Sequence, residues 1–470
     1  MGAGGHDTSG TGDGAEVFVD HDAALAYLES RPNFERSRAR RADAPETFKL
    51  DRMRALLREL GDPHEGLAMV HVAGSKGKGS VCAMLEGALC ASEQTTGLFT
   101  SPHLVDVRER VRIGGAMIDR DAFGAALGMC RAAAGRVTDE QGEPTYFEMI
   151  TAVAFTAFAR AAVDIAIIET GIGGRLDCTN VITPVAVGLT RIQLEHTEIL
   201  GDTLGAIAGE KAGIMKPGVP AYSVPQDEEA MRVFRERAGE VGCDLCILGE
   251  DMFFSDRFQS STTRAAHRRV SVGDGDEAIE HLSVPLAGAH QALNCGLAIA
   301  LTIELSRQGF DLPRPPVVAG IESVKRVGCL EQVRESPRII VDGAHTGESV
   351  RATLVAAREQ LSFDSLVVVM GCAVDKDIDA MLDALRRAAD KVVFTRASGH
   401  PRAADPRALC ERFREGGDRM CEWREDVGDA VRAAAGAVRT NDAILALGSF
   451  VLAGEVKSFL ASLEPDTARR

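Results

Sequence analysis

The chain has 470 residues, 45% hydrophobic and 26% charged, with 69 acidic against 53 basic side chains for a net charge of −16. A chain of this size folds as two or three domains, and its composition excludes a low-complexity or wholly disordered protein. The acidic excess argues against a nucleic-acid binder, whose affinity comes from Lys and Arg neutralising phosphates, yet it leaves room for a local basic pocket that takes a small anion.

Residues 1–17 are Gly-rich and polar, without the basic and apolar regions of a leader, and read as a disordered tail. An apolar run at 68–73 leads into Gly74-Ser-Lys-Gly-Lys-Gly-Ser80, and 81–91 has helical spacing, which gives strand, glycine-rich loop and helix. The backbone amides of Gly74, Ser75, Lys76, Gly77, Lys78, Gly79 and Ser80 can approach an anion closely, Lys78 adds charge, and a helix N-terminus lies behind them. Gly79 separates Lys78 from Ser80, a departure from the common phosphate-loop spacing. The bland alternative is a plain glycine turn.

A helix at 147–161 precedes an apolar strand at 163–168 that ends in Glu169, and 185–190 repeats the strand pattern. Arg160 and Asp164 interrupt 150–168, so it is no membrane span, which needs about 20 apolar residues. Strands apolar throughout, alternating with helices, predict a parallel sheet covered on both faces. Ligands bind at the C-terminal ends of such strands. Glu169 is therefore placed to serve the Mg²⁺ that accompanies nucleotide phosphates, a hard cation that takes oxygen ligands; pairing with Arg175 is the structural alternative. His196, in Gln193-Leu-Glu-His-Thr197, follows the next strand, and Lys211, in Gly209-Glu-Lys-Ala-Gly213, reads by itself as a solvated helix lysine.

The pattern weakens over 221–283, with a helix at 228–240. Eleven scattered cysteines fit reduced thiols in a cytoplasmic protein, and the Cys243 to Cys246 pair lacks the partners of a zinc site. A long helix at 288–304 and a Pro-rich stretch lead to a boundary near 325. Strands at 339–341, 366–370, 392–395 and 444–447, separated by helical pattern, predict a smaller doubly wound α/β domain. The expected organisation is 18–325 and 326–470, with a cleft between.

Taken together, Tyr27-Leu-Glu-Ser30, Leu50-Asp-Arg-Met53, the loop Gly74 to Ser80, Thr100-Ser-Pro-His-Leu104, Glu109-Arg-Val-Arg112 and the segment Glu169 to Asn180 resemble one family. His196-Thr197, Glu210-Lys-Ala-Gly213, His290-Gln-Ala-Leu-Asn294, Asp342-Gly-Ala-His345, Asp375-Lys-Asp377 and Gly448-Ser-Phe450 continue the match. It is the folylpolyglutamate synthase and dihydrofolate synthase family of the Mur ligase superfamily. The resemblance implies an N-terminal P-loop-type parallel-sheet ATPase domain and a smaller C-terminal Rossmann-like α/β domain. It implies ATP-dependent addition of L-glutamate to a pteroate or folate through an acyl phosphate. Lys78 would hold the β- and γ-phosphates, and Ser101, Glu169 and His196 would serve Mg²⁺, with K⁺ a further cation. Lys211 matches a lysine that the superfamily carbamylates, and Asn294, Asp342 and His345 match positions that meet the nucleotide from the far side of the cleft. The partners implied are small molecules, with neither nucleic acid nor membrane, for a cytoplasmic monomer.

Three departures stand against this pattern. Cys329 falls where the family carries an arginine, with Arg326 and Arg334 as nearby substitutes; Thr346 and Gly347 replace Asn and Pro; and Lys76 replaces Asn. A neutral thiol supplies neither the charge nor the paired donors of a guanidinium. The competing readings are a Mur-type ligase for another acid and amine, and an ATP-binding member with weak catalysis. A P-loop kinase is disfavoured by the loop spacing and by the second-domain motifs.

Overall fold

The computed structural model describes residues 21–34, 50–259, 267–286, 288–325, 327–398 and 402–463; the expected tail at 1–17 lies outside them. The first sheet is built from β1 (Met69–Ala73), β2 (Thr96–Phe99), β3 (Val111–Ile113), β4 (Ala116–Met117), β5 (Ile165–Glu169), β6 (Ala186–Leu189), β7 (Ala221–Ser223) and β8 (Leu245–Ile247). Its order is β4-β3-β2-β5-β1-β6-β7-β8. The six strands from β2 to β8 in that order run parallel, and β3 and β4 add an antiparallel edge.

β1 and β5 are buried at every residue because both faces of the sheet are covered. Val70 and Val72 pack with helices Lys78–Ala91 and His290–Arg307, while Met69, one step along the pleat, packs with Arg120–Gln141 and Tyr146–Arg160. Thr145 starts the last of these with a capping box: its hydroxyl takes the Glu148 N–H, and the Glu148 carboxylate takes the Thr145 N–H.

The weak stretch 221–283 holds β7, helix Glu228–Val241, β8 and an antiparallel sheet of β9 (Phe253–Gln259), β10 (His267–Gly273) and β11 (Ile279–Ser283). Val270, Val272, Ile279 and Leu282 rest on helix His290–Arg307, while β9 is largely exposed, so the apolar signal there is thin.

The second large sheet comprises β12 (Glu331–Arg334), β13 (Arg338–Val341), β14 (Leu366–Met370), β15 (Lys391–Phe394), β16 (Met420–Trp423) and β17 (Ala443–Leu447), in the order β12-β13-β17-β14-β15-β16. All but β12 are parallel. Helices Gly347–Gln360, Ile378–Ala388 and Pro406–Glu415 cover one face, and Val427–Ala435 and Phe450–Ser462 the other. Leu104, from the loop after β2 in the first sheet, is a member of this second core. Among the described residues no helix is long and apolar enough to cross a membrane.

Candidate active site

Adjacent strands β5, β1 and β6 end at one edge of the first sheet, and the chain places its chemistry there. Gly74 leaves β1 at φ 150° because a Cβ would overlap the Thr190 hydroxyl, and Gly77 caps helix Lys78–Ala91 at φ 98°, where a side chain would strike the Asn294 amide. The Ser75 and Lys76 N–H groups both donate to the Arg191 carbonyl, at 3.0 and 3.3 Å, which ties the loop to the segment after β6. Lys78 Nζ curls back to donate to the Gly74 carbonyl at 2.9 Å.

Lys211, 1% exposed, is no solvated helix lysine. Its ammonium donates to the same Gly74 carbonyl at 2.9 Å and to Glu195 Oε1 at 3.1 Å, while Lys76 Nζ stands 3.5 Å from Glu195 Oε2. Burial pulls Lys211 down to about 8 against the pull of Glu195. Burial also opposes ionisation of Glu195, but Lys211, Lys78 and Lys76 outweigh it and hold the carboxyl at about 2.

The glycines after Glu169 bring this lysine in. A Cβ on Gly174 would lie 2.7 Å from the Glu210 carbonyl and 3.0 Å from Lys211 Cα, so only glycine lets the loop lie against helix Leu204–Ala212. Asp177 fixes the same loop by accepting the Gly171, Ile172 and Thr179 N–H groups, and the Asn180 amide joins it to the Gly213 carbonyl. Glu169, 3% exposed, accepts the Ser101 N–H at 3.2 Å on Oε2, whereas Arg175 pairs with Glu210 instead. His196 begins helix Thr197–Leu200 at φ 48°; burial lowers it to about 4 against the influence of Glu195, so its ring is neutral at physiological pH.

Across the cleft, His345 Nδ1 lies 2.8 Å from the Gly343 carbonyl and its ring stands beside Phe450. Burial and then the Lys76 charge lower it to about 4. The Asp342 carboxylate accepts the Leu330 and Ala344 N–H groups and the Thr353 hydroxyl, so it organises its own domain. Asn294 is a correction: it lies on helix His290–Arg307 of the first domain, under Gly77, on the phosphate-loop side and not on the far side. The Gln193 amide donates across the junction to Glu348 Oε1 at 2.7 Å.

Residues 72–302 match the Mur ligase middle domain, and residues 326–450 match the Mur ligase glutamate ligase domain. The folylpolyglutamate synthase of Lacticaseibacillus casei is 33% identical, with 94% of this chain and 99% of that one covered. This chain belongs to the Mur ligase family, in its folylpolyglutamate synthase and dihydrofolate synthase branch. A Haloferax volcanii protein named probable bifunctional folylpolyglutamate synthase/dihydropteroate synthase is 35% identical over 89% of the chain, which spans about half of that relative, 49%. A crystal structure of Mycobacterium tuberculosis folylpolyglutamate synthase complexed with ADP and AMPPCP superposes with a TM-score of 0.81 at 30% identity, covering 95% of this chain and all of that one.

Against the Mur ligase pattern, the departures have local explanations. Thr346 caps helix Gly347–Gln360 in a reciprocal bond with Ser349, and Gly347 sits where a Cβ would overlap Ala380. Arg334 does not stand in for the missing arginine: it bonds the Ser336 carbonyl in the β12–β13 turn, and Arg326 lies outside the described residues. Cys329 Sγ is 3.9 Å from the Gln291 amide and brings no cation to the cleft. Cys243 donates to the Val219 carbonyl, and burial raises both Cys243 and Cys246 to about 11, so this pair is inert. Glu195 and Lys376 both lie inside the motifs named above without standing out there, because a charge beside a lysine, histidine or aspartate has meaning only in three dimensions.

Proposed function

We propose that this Mur ligase is an ATP-dependent enzyme that joins L-glutamate to the carboxylate of a pteroate or folate. The observation that carries the reading is the convergence of Lys76, Lys78, Lys211 and Glu195 around the Gly74 carbonyl, at the sheet edge that Glu169 and His196 share. A nucleotide at the loop displaces Lys78 from Gly74, and the loop amides with Lys78 then hold its phosphates.

The donor set fits Mg²⁺. Glu169 offers buried carboxylate oxygen; Ser101, whose backbone N–H is bonded to that carboxylate, carries a hydroxyl; and His196 offers a neutral imidazole. Lys211 as a cation cannot ligate; its lowered pKa favours the free amine, which bonds to CO₂ and loses a proton to become an anionic carbamate. Mg²⁺, when bound, would supply positive charge to the phosphate oxygens.

In the first half-reaction a carboxylate oxygen bonds to the γ-phosphorus as the bond to the β-bridging oxygen breaks, and ADP leaves with the electron pair. In the second, the glutamate nitrogen bonds to the acyl carbon, phosphate leaves with its pair, and the amine gives a proton to solvent. Charge gathers on oxygen in both, so preorganised cations carry the catalysis and no enzyme nucleophile is needed. The Gln193–Glu348 bond and the docking of Leu104 hold the two domains together, which would align the reactants in the cleft. The setting we propose is a cytoplasmic monomer with small-molecule partners.

Purified protein with ATP, Mg²⁺ and glutamate is offered dihydropteroate or tetrahydrofolate, and ADP release is followed with product mass. Gain of one glutamate on either substrate supports the reading and says which synthase it is. ATP binding without mass gain favours weak catalysis, whose supporting observation is the uncharged Cys329.

A further inference from the structure

Lys76 and Lys78 share one loop and face different surroundings. Lys78 turns inward onto the Gly74 carbonyl. Lys76 is bridged by its backbone to Arg191, two residues before the Gln193 amide that reaches Glu348 of the second domain, so its side chain starts beside the junction. That side chain is 36% exposed, and its 3.5 Å to Glu195 is longer than the 2.7–2.9 Å of a tight charged hydrogen bond. Glu195 has a closer partner in Lys211 at 3.1 Å. After the effect of burial, the charge of Lys76 lowers the pKa of His345, and after burial and Asp375 that of Lys376, both in the second domain.

We propose that Lys76 is a catalytic residue that meets the phosphoryl group in flight on the second-domain side, while Lys78 holds the nucleotide phosphates in the ground state. This rests on the ligase reading. A phosphoryl group between donor and acceptor has moved from the nucleotide toward the second domain with its charge spread over three equatorial oxygens, so a cation on that side of the cleft meets it more closely there than in the bound nucleotide and acts chiefly on the transition state. Cys329 supplies no charge from the facing domain, and Lys376 there is held beside Asp375, so Lys76 is the half-exposed cation that the loop itself brings to the junction.

The test measures kcat for ligation and the Kd of ADP for wild type, Lys76→Asn, Lys76→Arg and Lys78→Met. For Lys76→Asn, kcat falls by about 10- to 100-fold, up to the low end of losing one preorganised donor because the side chain is part-exposed, while the Kd of ADP changes less than about threefold. Lys76→Arg keeps most of kcat because it keeps the charge. Lys78→Met weakens ADP by more than about tenfold. The proposal is overturned if Lys76→Asn keeps kcat within about twofold, if kcat and ADP affinity fall together, or if Lys76→Arg is as poor as Lys76→Asn. Wild-type protein that adds no glutamate in the same assay overturns the ligase reading, and this proposal with it; active wild type with an indifferent Lys76→Asn removes this proposal alone.

Discussion

Lys211 and Glu195 face each other at 3.1 Å, and the lysine is also bonded to the Gly74 carbonyl 137 residues earlier in the chain. The pair links the phosphate loop, the segment after β6 and helix Leu204–Ala212 into one charged cluster. Its desolvation is costly, so either partner left alone is a liability.

Glu195→Gln strands a buried ammonium. Breaking a buried pair costs about 3–5 kcal/mol, and the 12% exposure of the Glu195 side chain puts this case toward the low end. Lys211 loses its proton near pH 8, so the loss of Tm is larger at pH 6 than at pH 9. A Tm deficit independent of pH would count against the pair as its source.

Lys211→Ala abolishes ligation while ADP binding is largely kept, with kcat down by at least about 100-fold. The check is ADP titration beside turnover. Turnover at the wild-type rate would remove Lys211 from the mechanism.

Gly174→Ala pushes a methyl group against the Glu210 carbonyl and Lys211 Cα, which shifts the lysine. Stability falls by about 1–3 kcal/mol and kcat by more than about tenfold. Gly209→Ala, on the same helix but facing away from that loop and with only Val233 at 3.9 Å, leaves both unchanged or stability slightly raised. Thermal melts and turnover of the two variants decide it.

His71 is wholly buried on β1, its Nε2 2.8 Å from the Thr179 hydroxyl, and burial followed by the charge of Lys216 holds it at about 3. Its folded pKa lies below the unfolded 6.5, so its stabilising effect is complete above 6.5 and is lost as pH falls toward 3. At about 1.36 kcal/mol per unit this amounts to about 5 kcal/mol at the acid end. His71→Gln therefore flattens the fall of Tm between pH 7 and 4; an unchanged slope would place the acid sensitivity elsewhere.

Removing Gln193 or Glu348 costs little fold stability, because their bond is exposed, at about 0.5–1 kcal/mol. Each Ala variant lowers kcat/KM by about two- to fivefold with only a small drop in Tm, and the double variant is no worse than either single one. Additive losses would mean that the two residues act separately.

Legibility in the sequence followed burial. β1, β5, β6, β14 and β17 are apolar at nearly every position because helices cover both sides, and they stand out as continuous runs. β12, β16 and the β9–β11 sheet carry polar residues on an exposed face or edge and give no such run. The phosphate loop announces itself through its glycines. Lys211 does not, since its partners lie 16 and 137 residues away. The far-side position of Asn294 is an implication of the resemblance that the structure corrects: its helix packs through Leu297, Leu301 and their neighbours in the core beneath the first sheet, which sets its amide against Gly77.

Leu104 belongs by chain order to the loop that follows β2, and by packing to the core of the second sheet, with its carbonyl pressed against Gly454. Three residues before it, the Ser101 peptide is bonded to Glu169, and Glu109 clasps the N–H groups of Leu104 itself and of Val105 and Asp106 after it. The segment is thus a short tether anchored at both ends. A swing of the second domain must either tow the Ser101 peptide with it, tugging on the Glu169 carboxylate, or pull Leu104 out of its socket into water.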